Sequence, residues 1–278
     1  MASDPTARRV ELGILLRQFR QAKELPPKAV EEELGWYAGK LSKVEQGQRK
    51  LASAEVDRLV ALYGLTGADA DRVKRLGQEA RKRDATSHVP DWARSFVALE
   101  RSAAEIMCYD PELVPGLLQT EAFARTILST SLIVSAEDVD AMVDARVRRK
   151  DVLRRDQAPR LWVVLGEAAL YRKVGDRQIL KEQLRHLREL SKLRHITLQI
   201  LAFDGGEHVA LGTGFIVLRL DDPPATRVYL EGLTDATYLH RPSDIELYTL
   251  AFDRLRVAAL SDKETAKVLD RRIRELDE

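Results

Sequence analysis

The chain has 278 residues and a single cysteine, Cys108. One thiol excludes an internal disulfide framework and fits a reducing compartment. Nowhere does the sequence run for the roughly 18 apolar residues needed to cross a bilayer, so no membrane association is expected. The opening Met1-Ala2-Ser3-Asp4-Pro5 lacks the basic-then-apolar pattern of a secretory leader. A cytoplasmic location is the expectation.

The residue patterns of common catalysis are missing too. There is no H-E-x-x-H, and His88, His186, His195, His208 and His240 show no metal-ligand spacing. No G-x-S-x-G elbow occurs, and Cys108 has no base near it in sequence. The glycine-rich stretch from Asp204 to Gly214 lacks the dinucleotide and P-loop spacings. The expectation is therefore no enzyme, no cofactor and no metal, with a catalytic second domain kept as a third reading.

Net charge is +1, which selects no partner. The halves differ slightly: residues 1–84 hold 17 Lys+Arg against 13 Asp+Glu, and residues 85–278 hold 28 against 31. The first part is thus +4 and the rest −3. A basic face on one helix still attracts phosphates when the total charge is this small.

What is present is helical periodicity, then a change of pattern. Residues 6–23 repeat Val10, Ile14 and Leu15 at helical spacing. Pro26-Pro27 breaks that helix and starts a short one reaching Leu34, since proline fits a first turn. Gly35 makes a turn into a second short helix, Ala38 to Gln46, stopped by Gly47. Ser53 is expected to cap a fourth helix ending at Gly64, and a fifth covers Ala68 to Arg83. Polar residues 82–90 read as a linker. Beyond it, helices are expected at Trp92–Met107, Glu121–Ser129, Ser135–Arg155, Gln178–Leu193 and Ile245–Ala259. Strands are expected at Leu161–Leu165, Ile196–Leu201, Phe215–Leu220 and Arg227–Leu230. Ser261-Asp262-Lys263-Glu264 is a capping box that opens a last helix. The fold class is α+β: a five-helix domain at 1–81, then a larger α+β domain at 91–278 with a small sheet flanked by helices.

The short helix pair carries the chemistry. Two helices meeting across a tight turn hold one across a DNA backbone and place the next in the major groove. Leu34, Leu41 and Val44 supply the apolar contacts, which turns Ser42 and Lys43 outward. Lys43 is the best candidate for a base contact, to guanine O6/N7 for example. Lys40 is read as a base or phosphate contact. Arg49 and Lys50, just past the helix, and Arg17 on the first helix are read as phosphate contacts. A helical hairpin of structural or protein-binding use is the competing reading.

This stretch resembles the Xre/Cro class of helix-turn-helix domains. Their pattern L-G-x-x-x-x-x-[IVL]-S-x-[IVLW]-E-x-G is met by Leu34-Gly35 and Leu41-Ser42-Lys43-Val44-Glu45-Gln46-Gly47. The resemblance implies a DNA-binding set of Arg17, Lys28, Tyr37, Ala38, Gly39, Lys40, Ser42, Lys43, Arg49 and Lys50. It also implies a structural pair between Glu45 and Arg20. The family often begins its second helix with Thr-Gln or Ser-Gln, where glutamine binds phosphate. Here Pro26-Pro27 stands there, and Lys28 is the nearest substitute. Ala38 and Gly39 leave the recognition helix a bare tip, so readout is expected to lean on DNA shape and on a homodimer spanning two half-sites.

The second part resembles a large C-terminal domain of many actinobacterial Xre-type regulators, described as antitoxin-like or of unknown function. Its marks are Phe96 with Leu99-Glu100-Arg101-Ser102-Ala103, and Val114-Pro115-Gly116-Leu117-Leu118-Gln119-Thr120-Glu121-Ala122-Phe123-Ala124-Arg125. Later marks are Glu167 to Leu170, Gly175, Gln183, Leu184, Leu187, Gly206-Glu207-His208, and Gly212 or Gly214 before Phe215. Ala202-Phe203 departs from the expected Leu-Pro. Glu100, Gln119, Glu167 and His208 are the candidate effector or partner residues, the plain alternative being caps and corners. The run Arg146 to Lys150, with Arg154 and Arg155, reads as a solvated helix, with a DNA backbone or an acidic partner as the alternative. Two functions are carried forward. One is a DNA-binding regulator, a repressor or developmental switch, whose second domain dimerises or senses an effector. The other is an antitoxin-like protein that neutralises a small cognate protein and regulates its own operon.

Overall fold

The computed structural model describes residues 5–81, 91–221, 224–233 and 236–277; the expected linker at 82–90 lies outside them. The chain is mixed α+β: a helical region followed by a domain built on a six-stranded mixed sheet flanked by helices. By its contacts it forms two units, Met1–Ser102 with Leu220–Ala225, and Ala103–Arg219 with Thr226–Glu278.

The first unit contains α1 (Pro5–Ala22), α2 (Pro27–Leu34), α3 (Lys40–Glu45), α4 (Ser53–Leu62), α5 (Gly67–Arg81) and α6 (Asp91–Ser102). Leu12, Leu15 and Leu16 form the inward stripe of α1 and meet Val30, Leu41, Leu59, Val73 and Leu76 in one core. That burial holds α2 and α3, each too short to persist alone in water. Pro27 starts α2 because its missing N–H costs nothing at a first turn. Contacts place α6 on α1, so the first unit reaches past the linker.

The second unit begins with a strand that departs from expectation. Trp92–Met107 is not one helix: α6 stops at Ser102 and β1 (Ala103–Asp110) follows at once. Ile106, Met107, Cys108 and Tyr109 are all buried in succession, the signature of a strand covered on both faces. A 3-10 turn at Gly116–Leu118 leads to α7 (Glu121–Ser129), which Thr120 caps by accepting from Phe123 N. The expected long helix 135–155 is shorter: α8 spans Val139–Arg149, with 3-10 turns at Ala136–Asp138 and Lys150–Arg154. Then come β2 (Arg160–Gly166), α9 (Ala168–Tyr171), α10 (Arg177–Leu190), β3 (Ile196–Leu201), β4 (Phe215–Asp221), β5 (Pro224–Glu231), β6 (Ala236–Leu239), α11 (Pro242–Ala258) and α12 (Asp262–Glu275).

The strand order is β3-β2-β1-β4-β5-β6. β1, β2 and β3 are parallel, with Ile106 opposite Leu161 and Leu161 opposite Ile196; β5 and β6 are antiparallel. On one face Met107, Tyr109, Val164, Phe215, Val217 and Val228 pack with Phe252 and Leu255 of α11. Gln199 ties this layer together. It accepts from Trp162 Nε1 at 2.8 Å and donates to Leu260 O at 3.0 Å. A buried amide with both ends bonded fixes the register of the helix over the sheet. No helix among the described residues is long and apolar enough to cross a membrane.

Asp110, at the end of β1, is half-buried and accepts from the backbone N–H groups of Glu112 and Leu113 at 3.1 and 2.8 Å. Burial pushes its carboxyl up to about 6, outweighing the Leu113 bond, and nearby Glu231 adds to the rise. A carboxyl raised in the folded state stabilises below its unfolded value and loses that contribution as pH climbs to the folded value. Asp110→Asn keeps the acceptor and removes the charge. It is expected to gain about 2 kcal/mol on the wild type between pH 4 and pH 7. Paired urea titrations across that range check this; a constant difference between the two proteins would exclude it.

Candidate nucleic-acid interface

Two short helices and a turn present this surface. α2 ends at Gly35, and the chain enters α3 from Gly39; both glycines are left-handed, at φ 65 and 85. A side chain at Gly39 would pay the left-handed penalty, so glycine lets the chain turn straight into the helix. Ala38 and Gly39 therefore precede the recognition helix instead of forming its first residues, as Ala38–Gln46 had suggested. The side chain of Glu31 is buried, and its Oε1 accepts from Leu41 N at 2.9 Å. An acid on α2 thus caps an orphan N–H of α3. Sequence reading missed this residue; its signal is an acid in phase with Val30 and Leu34 on the inward side of α2.

The far end of α3 is held by charge. Arg20 Nε donates to Glu45 Oε1 at 2.6 Å, and Arg20 Nη2 to Oε2 at 3.0 Å. Arg20 Nη1 also donates to Leu25 O at 2.9 Å. Both side chains are buried, and the fork satisfies both carboxylate oxygens. The carboxylate in turn holds the Arg20 guanidinium above its ordinary value. Close approach of α1 and α3 requires Gly13, where a Cβ would lie 2.5 Å from Val44 O.

The cations divide into two sets. Lys40 forms an ion pair with Glu55 at the start of α4 and lies 4.2 Å from the Trp36 ring centroid. It is nearly buried, so it braces α3 against α4. Ser53 does not cap α4; Ala52 holds that place, and Glu55 Oε2 accepts from its N–H at 2.8 Å. Arg17 is half-buried beside Arg20 and Glu45, and its pKa is lowered chiefly by burial.

The other set faces out. Ser42 and Lys43 are exposed on α3, between buried Leu41 and Val44. Ser42 Oγ accepts from Gln46 Nε2 at 3.0 Å. Arg49 and Lys50 are exposed after the helix, and Arg49 donates to the Tyr37 hydroxyl at 3.1 Å. Tyr37 is itself half exposed. Lys28 is exposed, 3.7 Å from Glu32. Tyr37, Ala38, Gly39, Ser42, Lys43, Arg49 and Lys50 thus belong to one exposed stretch of turn, helix and following loop. Charge, hydroxyl, amide and aromatic groups together are what binding to phosphates and base edges uses.

The candidates in the rest of the chain do not form one site. Glu100 is buried on α6 in the first unit. Gln119 donates to Val114 O at 2.8 Å and accepts from Arg146 at 3.0 Å. Glu167 accepts from Phe203 N at 2.8 Å, pinning the chain after β3. His208 sits edge-on to Tyr109, 5.6 Å between ring centroids. The glycine-rich stretch from Asp204 to Gly214 is held to β1 there, with Ala210 buried.

A helical domain with this turn and outward helix is of the helix-turn-helix class, and the helix-turn-helix domain family matches residues 11–73. The chain belongs to the family defined by a domain of unknown function (DUF5753), which matches residues 93–271. No curated protein and no solved structure matches the chain.

Glu45→Ala leaves Arg20 buried without its partner and is expected to cost about 3–5 kcal/mol of unfolding free energy. Arg20→Met with Glu45→Leu removes both charges and is expected to cost much less. Chemical denaturation of the three proteins decides it. A double variant as unstable as the single one would mean that the pair acts through shape and not through charge.

Proposed function

We propose that this protein is a transcription regulator of the Xre/Cro type that reads duplex DNA with α3. The observation that carries the reading is the division of labour along that helix. Leu41, Val44 and Glu45 are buried and Lys40 is bound to Glu55, while Ser42 and Lys43 face outward. A helix made to fill a core has no need to keep a lysine and a serine together on its open face. Lys43 is assigned the base contact, and Arg49, Lys50 and Lys28 the phosphates. The glycine-tipped helix offers few base-reading side chains, so a homodimer over two half-sites one helical turn apart is part of the proposal. The second domain is assigned effector or partner sensing.

Fluorescence anisotropy with the DNA upstream of the coding sequence, against scrambled duplex, across a salt series, tests this. Preference for the upstream DNA is expected. Lys43→Ala is expected to lose about 1–3 kcal/mol and relax the preference. Lys50→Ala is expected to weaken both duplexes alike and lower the salt slope by about 1. Equal binding to both duplexes, unaltered by Lys43→Ala, would overturn the reading.

A further inference from the structure

α11 carries large apolar side chains on both of its faces. Phe252 and Leu255 turn inward, with Ile245, Tyr248 and Ala251, and pack on the sheet. Leu247, Leu250 and Val257 turn the other way and are 64, 48 and 83 % exposed. Ser243 and Arg254 are exposed on that same side. Positions 243, 247, 250, 254 and 257 thus follow one another in alternating steps of four and three. Such spacing makes a straight seam along one side of a helix, the pattern by which one helix packs along another. A single exposed leucine is ordinary on a protein surface, but three large apolar side chains in one seam are not scattered.

The charges on α11 and at its start say what the seam faces. Arg241 is bonded to Asp244 and Arg256 to Asp253, with the Arg256 guanidinium 4.7 Å from the Trp162 ring centroid. These four are satisfied within the chain. Glu246 and Arg254, both exposed on the seam side, have no ion-pair partner among the described residues. One precedes Leu250 by four residues and the other follows it by four, so each stands about 6 Å from Leu250 along the axis. A second α11 running antiparallel, with Leu250 against its own copy, brings Glu246 level with Arg254 of that copy at both ends. A parallel partner sets acid beside acid and base beside base, which is unfavourable. The face is therefore complementary to its own reversed copy, as a twofold interface requires.

We propose that the outward face of α11 is a homodimer interface in which two copies pair antiparallel about Leu250. Leu247, Leu250 and Val257 form its apolar seam, and Glu246 and Arg254 form two ion pairs across it. This gives the homodimer of the proposed function its contact surface and rests on that reading for the purpose of pairing. One helix against its copy buries less than a standard protein–protein interface, so the free dimer is weak and depends on concentration. A weak dimer suffices on DNA, because adjacent half-sites raise the effective concentration of one copy for the other.

Sedimentation equilibrium of the full-length protein, without DNA and over a concentration series, tests this. A monomer–dimer equilibrium is expected. Leu250→Asp sets two carboxylates together at the twofold axis and is expected to leave only monomer. Glu246→Arg and Arg254→Glu, taken singly, are each expected to weaken the dimer about tenfold or more, since like charges then meet at both ends. The double exchange, Glu246→Arg with Arg254→Glu, is expected to recover the wild-type affinity. All three positions are exposed, and circular dichroism checks that the fold is unchanged. A wild type that stays monomeric at every concentration overturns the proposal and leaves the face to a different protein. A dimer indifferent to Leu250→Asp also overturns it and places the homodimer of the proposed function on another surface. Single charge variants that the double exchange does not rescue overturn the antiparallel pairing. Base reading by Lys43 is measured separately by anisotropy, so each of these failures leaves the DNA-binding reading standing.

Discussion

The bidentate contact between Arg20 and Glu45 fixes where α3 lies, and the surface of the first unit follows from it. A helix of six residues has almost no stability of its own. Its ends must be held from outside, and the holders come from three other helices. Glu31 of α2 takes the Leu41 N–H, Arg20 of α1 takes Glu45, and Glu55 of α4 takes Lys40. Gly13 lets the α3 backbone come within a few ångströms of α1, close enough for the Arg20 fork to reach. Every one of these contacts lies on the inward side. What remains outward is a short rigid ledge carrying Ser42 and Lys43.

The second unit solves a different problem with the same economy of polar groups. Its sheet is buried on both faces at β1 and β2, so helices must cover each side and be registered against the strands. Gln199 does this for the segment after α11, and Thr265 Oγ1 does it for α12 by accepting from Ile200 N at 3.1 Å. Gln183 ties α10 to the corner before α7, donating to Leu118 O at 2.7 Å and accepting from Thr120 N at 2.7 Å. Three side chains, each bonded to the backbone of another segment, turn an apolar stack into one arrangement. The polar residues that stood out among apolar neighbours in the sequence are, at Gln119 and Glu167, fasteners of this kind.

What the sequence disclosed depended on how local the physics was. The pair α2 and α3 was legible because turn, spacing and apolar phase lie within Leu34 to Gly47. The α10 stripe and the Ser261 capping box were legible for the same reason. β1 was not: it follows α6 without a glycine or proline, and a strand covered on both faces shows no alternation. Ala103 was also in phase with Phe96 and Leu99, which extended the helix on paper. β6 has four residues, too few for a pattern. The Lys40 ion pair was hidden because its outward phase could be counted, whereas Glu55, fifteen positions on, becomes its neighbour only in three dimensions. Glu31 and Gly13 were missed likewise: their partners Leu41 and Val44 belong to another helix.

The same distinction governs how charge should be read. A net charge of +1 says little, because it counts cations that hold the fold together with those that face solvent. In the first unit, Arg20 and Lys40 are bound to buried or half-buried carboxylates, and Arg17 is drawn in beside them. Removing these from the count leaves Lys43, Arg49 and Lys50 exposed on α3 and the loop after it. Long-range attraction to a polyanion depends on that residual field and on its placement. In the second unit, Arg125 is satisfied by Asp140 and Arg188 by Asp270, while Arg146 and Lys150 are bonded to Gln119. Cations bonded to carboxylates account for the architecture.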